Sequence, residues 1–252
     1  MDKIGIIMPV LNLWNEFTKA ALSSIFSQNY IGEYQVHIID NGSDDATRKE
    51  SMRLVSTNEN VIYTRNAVNE GVAKSWNFGV EQAIDAGCDK FFILNNDILL
   101  EENAMSKLVR RLNKGGIGMA TCNDIHGEKP ENMNVMEFMR SLDKSNVEEA
   151  ESPCFSAFMF TKDTWDKVGS FDETFYPAYF EDNDYHYRMK LAGIKAILHP
   201  TSLFYHFVSR TQNQITDRPI VPNFSFDRNR DYYIAKWGGE PGKEIFKKPF
   251  NK

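Results

Sequence analysis

The chain has 252 residues, 42% of them hydrophobic and 25% charged, which is the make-up of an ordinary globular protein of one large or two small domains and excludes disordered, collagen-like and disulfide-rich classes. Its net charge of −6 leaves no global basic field to draw in nucleic acid or anionic lipid. Three cysteines (Cys88, Cys122 and Cys154) are widely spaced and odd in number, so they form neither a disulfide framework nor a zinc pattern and fit a reducing compartment.

The first element is a buried strand, Gly5 to Val10, ended by Pro9. No signal-peptide core precedes it, and no apolar run in the chain is long enough to span a membrane, so a cytoplasmic location is expected. Apolar residues at helical spacing (Leu13, Phe17, Ala20, Ala21, Ile25) predict a helix to Ser27 with Asn12 as its cap. Gln35 to Ile39 is a second strand, running into Asp40-Asn41-Gly42-Ser43-Asp44-Asp45. A helix over Thr47 to Val55 follows, capped by the Asp pair, and Val61 to Arg65 is the third strand. Gly71 to Ala86 is a helix with Val72, Trp76, Val80, Ala83 and Ile84 on one face and Gly87 as its stop. Phe91 to Leu94 is a fourth strand, apolar on both faces, followed by Asn95-Asn96-Asp97. Strands and helices thus alternate through the first hundred residues, which predicts a parallel sheet covered by helices.

Met105 to Leu112 reads as a helix and Ile117 to Cys122 as a strand. Asn123 to Ser152 is irregular apart from a short amphipathic helix around Val135 to Met139, the pattern of a binding loop. Phe155 to Phe160 is a strand, Thr164 to Val168 a short helix and Glu181 to Ala192 a longer one. Lys195 to Leu198 and Leu203 to Phe207 are two short strands. Beyond Ser209 the chain is polar, then mixed aromatic and basic, and Pro219 and Pro222 mark where a tail leaves the body.

The chemistry gathers at strand ends. In an open α/β sheet, ligands sit at the carboxyl ends of the strands. Asn95, Asn96 and Asp97 directly after a buried strand are costly unless something binds them, and a hard cation carrying phosphate oxygens would do so. A polar turn that happens to contain an aspartate would look the same. Asp40 can accept from a nucleobase imide or from ribose hydroxyls, or can open an Asx-turn into Gly42. Asn69-Glu70-Gly71 opens a helix whose free N–H groups attract phosphate, with Asn77 one turn on and Lys74 and Arg65 adding charge; plain helix capping is the alternative. Tyr176-Pro177-Ala178-Tyr179-Phe180-Glu181-Asp182-Asn183-Asp184 sets aromatic rings around a dense acidic cluster at a helix start. The helix end favours an ionised Asp182, and the rings offer flat faces to a sugar or a base. His206 is either a satisfied core histidine or a nitrogen ligand beside Asp97.

These stretches occur in a familiar order: Met8-Pro9-Val10-Leu11-Asn12, Ile39 to Asp45, Asn69-Glu70-Gly71 with Asn77 and Gly79, Leu94 to Asp97, Gly169 to Glu173, Glu181 to Asp184, His206 with Ser209 and Thr211, and Tyr233 to Gly239. In that order the chain resembles the family 2 inverting glycosyltransferases of the GT-A fold, and within them the rhamnosyltransferase-like branch. The resemblance spans Ile6 to about Gly239. It implies one α/β domain over residues 1–210, with a nucleotide-sugar half (1–100) and an acceptor half (101–210), and a tail (211–252) packed on the domain or extending from it. By the same resemblance, Pro9, Asn12, Asp40, Gly42, Asn69, Gly71, Asn77, Asn95 and Asn96 face the donor nucleotide sugar. Asp97, with His206, holds Mn2+ or Mg2+. Asp182 is the general base, and Tyr179, Glu181 and Asp184 face a glycan or lipid-linked glycan acceptor. Asn95 stands where the family's metal motif has its first aspartate, which leaves one carboxylate for the metal. No nucleic-acid partner is expected, while peripheral membrane contact stays open.

Two other readings remain. A nucleotidyltransferase would carry a glycine-rich basic loop after the first strand, where this chain has Asn12-Leu13-Trp14-Asn15-Glu16. A nucleotide-sugar-binding module without turnover is favoured only by Asn95.

Overall fold

The computed structural model describes residues 2–125, 133–142, 148–207 and 223–252. The boundary expected at 210/211, Gly127, Pro130, Ser209, Thr211, Pro219 and Pro222 lie outside the described residues.

Eight strands form one sheet: β1 (Lys3–Val10), β2 (Glu33–Asp40), β3 (Val61–Arg65), β4 (Lys90–Leu94), β5 (Ile98–Leu100), β6 (Met119–Ile125), β7 (Ala157–Thr161) and β8 (Ala196–His206), in the order β3-β2-β1-β4-β7-β6-β8-β5. The half expected to be parallel is so: β1 pairs in parallel with β2 and β4, and β2 with β3. Beyond β4 the sheet is mixed, because β7 runs antiparallel to both β4 and β6 while β6 and β8 are parallel. Reversing twice returns β6 and β8 to the direction of β4. The carboxyl ends of β1, β2, β4, β6 and β8 therefore share one edge, together with the amino end of β7.

Helices cover both faces. A π-helical turn (Trp14–Thr18) leads into α1 (Lys19–Phe26); then come α2 (Asp45–Thr57), α3 (Val72–Asp85), α4 (Ala104–Asn113), α5 (Val135–Ser141), α6 (Lys162–Val168), α7 (Glu181–Leu191) and α8 (Asn223–Trp237). Ile4, Ile6, Met8 and Val10 of β1 face one core with α1 and α4, and Ile7 faces the other with Trp76, Val80 and Ala83 of α3. Burying side chains of this size contributes about 1.5–3 kcal/mol each. Helix α3 lies close on β1 because glycines stand at the contact. A Cβ on Gly5 would sit 2.3 Å from that of Ala83, and one on Gly79 2.4 Å from Cγ2 of Ile7. A third cluster (Phe175, Phe180, Tyr187, Tyr233 and Trp237) fastens α8 to α7.

Two sequence expectations change, and the tail takes one of its two expected forms. Asn12 does not cap α1. Its φ is 59°, its carbonyl side-chain oxygen accepts from the Asp44 N–H, and its own N–H donates to Ser43 Oγ, so it ties the β1 turn to the β2 turn. The two short strands expected near the end are one, β8, whose pairing with β6 shifts register between Thr121 and Asn123 beside the half-exposed His199-Pro200-Thr201. The tail contains a 15-residue helix, α8, packed on the body.

Candidate active site

A cleft of about 720 Å³ opens along the shared carboxyl edge. Pro9, Val10 and Leu11 line it from the end of β1, Asn41 from β2, Asn95, Asn96 and Asp97 from β4, Asn123 and Asp124 from β6, and His206 from β8. Ser152 to Ser156 enter from the amino end of β7, and Pro177, Ala178, Tyr179, Glu181 and Asp182 close the opposite wall with Asn69. The size and the mixed lining suit a small-molecule ligand with several polar groups.

On one wall, His206 lies between two carboxylates. Its Nε2 is 3.2 Å from Asp97 Oδ1, and its Nδ1 is 3.4 Å from Asp124 Oδ2. Burial would lower the imidazole's pKa, but the hydrogen bonds and charges of Asp124 and Asp97 outweigh it and raise it to about 9. The Asp97 carbonyl also accepts from the Phe207 N–H, so β4 and β8 hold this pair together. Sequence reasoning missed Asp124, yet the signal was there: Asn123-Asp124 follows the apolar run of β6 as Asn96-Asp97 follows that of β4.

On the other wall, α7 begins after two consecutive non-glycine residues in the left-handed region, Tyr179 (φ 81°) and Phe180 (φ 73°). Such pairs persist only where the surroundings enforce them, and they concentrate at functional sites. They turn Glu181 and Asp182 into the cleft. Asp182 Oδ1 accepts from the Asn183 N–H at 2.8 Å, and burial raises the pKa of its carboxyl. Burial, then the charge of Asp182, raises Glu181 further, and Oε2 of Glu181 has no partner. A carboxylate lifted toward neutrality in a half-dry cleft is suited to accept a proton from a hydroxyl.

Other expected site residues are occupied by their own chain. Asp40 is fully buried and does not line the cleft. One of its oxygens accepts from the Ser43 N–H at 2.7 Å, and the other from Tyr63 and from Arg65 at 2.6 Å. Burial alone would raise its pKa, but these bonds hold it below the usual carboxylate range, and burial and Asp40 together push Tyr63 up to about 12. Gly42 (φ 81°) makes the turn beneath, packed on Val68. Asn69 is in the cleft wall, with Oδ1 accepting from the Gly71 N–H. Gly71 (φ 85°) lets Tyr176 and Pro177 close on the start of α3, and the Pro177 carbonyl already accepts from the Val72 N–H. Asn77 faces away, bolting α3 to the backbone of Phe171 and to Glu173. Asp184, expected to face the acceptor, is fully buried, does not line the cleft and bonds Arg188, Trp237 and Lys236. Lys74 pairs with Glu70.

A family description, "Glycosyl transferase family 2", matches residues 5–167. The structure is similar to S. aureus TarS 1-349 (TM-score 0.62, 14% identity, covering 82% of this chain and 60% of that one). It is similar in the same degree to the mannosyltransferase PcManGT from Pyrobaculum calidifontis, solved with GDP-Man and Mn2+ (TM-score 0.62, 17% identity, 82% of this chain and 57% of that one). TarS 1-349 in complex with UDP-GlcNAc gives a TM-score of 0.60 at 14% identity, over 81% and 58%. At these identities the likeness is one of fold, and the chain spans less than two thirds of the length of these structures. No curated protein matches the sequence.

Proposed function

The chain belongs to glycosyl transferase family 2, and from that premise we propose that it moves a sugar from a nucleotide-diphosphate sugar to a hydroxyl of a glycan or lipid-linked glycan, inverting the anomeric carbon. The carrying observation is the cleft itself: Asp182 on one wall and the Asp97–His206 pair on the other face a single space at the carboxyl edge of the sheet. The ligands of the similar structures, GDP-Man with Mn2+ and UDP-GlcNAc, are of the proposed donor class. We keep the narrower likeness to the rhamnosyltransferase-like branch, a role in polysaccharide synthesis and a cytoplasmic location as parts of the same proposal. Among the described residues, no helix is long and apolar enough to cross a membrane.

In this reading the donor diphosphate lies along Asn95, Asn96 and Asp97, and the acceptor enters past Tyr179 and Glu181. Asp182 takes the proton of the acceptor hydroxyl as that oxygen bonds to the anomeric carbon. The bond from that carbon to the diphosphate oxygen breaks on the far face, and the electron pair leaves with the diphosphate. One carboxylate suffices where the leaving group needs charge stabilisation rather than a proton.

Asp97 and His206 Nε2 are an oxygen and a nitrogen donor side by side, and among the described residues no third His, Cys, Asp or Glu joins them as a closed metal site. That set fits a cation completed by oxygens of the ligand rather than by the protein alone. Asp97 and His206 would hold Mn2+ or Mg2+, which supplies Lewis-acid charge for the departing diphosphate. Asp124 would keep the Nδ1 proton and so leave Nε2 free for that task.

The test is release of nucleoside diphosphate from a panel of UDP-, dTDP- and GDP-sugars, with Mn2+ and with chelator, followed by NMR of the product's anomeric configuration. One donor class turned over with inversion supports the proposal. Retention, or no release from any donor with acceptor glycans present, overturns it.

A further inference from the structure

The catalytic wall of the cleft is held from outside the stretch matched by the family description, which ends at residue 167. Helix α8 packs behind the loop 176–180 through the rings of Phe226 and Tyr233 and through Asn229, which is 1% exposed. The Nδ2 of Asn229 lies 2.9 Å from the carbonyl of Ala178 and 3.3 Å from those of Tyr176 and Tyr179. Three carbonyls of one loop thus converge on a single amide group. The orientation of that amide is set by Arg228, whose Nη2 donates to Asn229 Oδ1 at 3.2 Å and also bonds the Tyr176 carbonyl. The residues gathered in this way run directly into Tyr179 and Phe180, the two left-handed positions. Side chains in the left-handed region relax to ordinary backbone angles unless neighbours prevent it. Here the rings of Phe226 and Tyr233 pack on Tyr179 and Phe180, Asn229 holds the backbone carbonyls, and the next residues along the chain are Glu181 and Asp182.

We propose that Asn229 is a positioning residue for the transfer reaction: by drawing the carbonyls of Tyr176, Ala178 and Tyr179 onto one amide, it holds the left-handed turn that aims Asp182 into the cleft. The inference rests on the reading of Asp182 as base. It gives the carboxyl-terminal helix a role in rate rather than in nucleotide binding, because the loop that Asn229 bonds belongs to the acceptor-side wall. A side chain one ångström out of place is enough to cost about 100-fold in rate.

The experiment compares wild type, Asn229→Ala, Asp182→Asn and the double variant. Donor affinity is read by calorimetry, kcat by nucleoside diphosphate release from UDP-GlcNAc and GDP-mannose, and loop order by amide exchange of the 174–183 peptide. Asn229→Ala should exchange faster in that peptide, bind donor within about twofold of wild type, and lose about 10–100-fold in kcat. In the Asp182→Asn background the same substitution should cost nothing further, since it acts through Asp182. Unchanged exchange, or an equal loss of kcat in both backgrounds, overturns the proposal. Wild-type turnover in Asp182→Asn instead overturns the base assignment and the inference with it, whereas an inactive Asp182→Asn beside a fully active Asn229→Ala overturns the inference alone. Should Asn229→Ala not fold, Arg228→Gln at the exposed neighbouring position removes the group that orients the amide, and the same pattern is expected at smaller amplitude.

Discussion

Lys236 ties α8 to Asp172 and to Asp184 of α7, and its removal has a calculable signature. Its ammonium is 2.7 Å from Asp172 and 2.6 Å from Asp184, with side-chain exposures of 7%, 21% and 0% for the three residues. The rings of Trp237 and Phe175 flank it at 5.4 and 5.6 Å. Burial would raise the Asp172 pKa, but Lys236 and the Thr174 amide outweigh it and lower it from 3.8 to about 2. A carboxyl depressed in this way stabilises the fold by about 2 kcal/mol, in full above about pH 4 and lost as the pH falls toward 2. Lys236→Met keeps the volume and the ring contacts and removes the charge. Breaking a buried pair costs about 3–5 kcal/mol. Asp184 keeps Arg188 and Trp237, and Asp172 keeps Tyr232, so the lower end of that range, about 3 kcal/mol, is expected at pH 7. The assay is urea unfolding at pH 7, 5, 4 and 3. The gap between wild type and variant should narrow below pH 4, because the unfolded chain takes up a proton there while Asp172 of the folded wild type stays ionised until the pH nears 2. A gap under about 1 kcal/mol at pH 7, or one that stays constant to pH 3, would refute the reasoning.

Two further outcomes follow from the geometry. Gly79→Ala places a methyl 2.4 Å from Ile7 and forces α3 off β1, so a loss of about 1–3 kcal/mol is expected in the same unfolding assay despite alanine's better helix propensity; a neutral result would mean that the contact is looser than described. With Mn2+ and saturating nucleoside diphosphate of the donor class, wild type should melt roughly 5–10 °C higher and Asp97→Ala should not; an equal rise in the variant would remove Asp97 from the site.

The parallel half was legible because its signals are local. The α3 stripe, the buried β4 run and the polar ends of strands all sit within windows of ten or so residues. The fate of Asp40 was not legible, because it is set by register: β2 pairs with β3 so that Asp40 stands opposite Arg65, and no local pattern fixes that alignment. The partners of Asn77 and Asp184 were hidden in the same way, Phe171 and Trp237 being far along the chain. Helix α8 was hidden because its buried face is partly polar: Ser225, Asn229, Tyr233 and Trp237 recur every fourth residue, but a search for apolar periodicity passes over the first two. Asp97, His206, Tyr179, Glu181 and Asp182, all singled out from local patterns, line one cleft.

The most direct measurement is of donor affinity and turnover in Asp182→Asn beside wild type. Removal of a general base from an otherwise intact site predicts an unchanged Kd for the donor and a kcat lower by about 10²–10⁴-fold. Turnover equal to wild type would contradict the account, because the acceptor proton would then leave without Asp182.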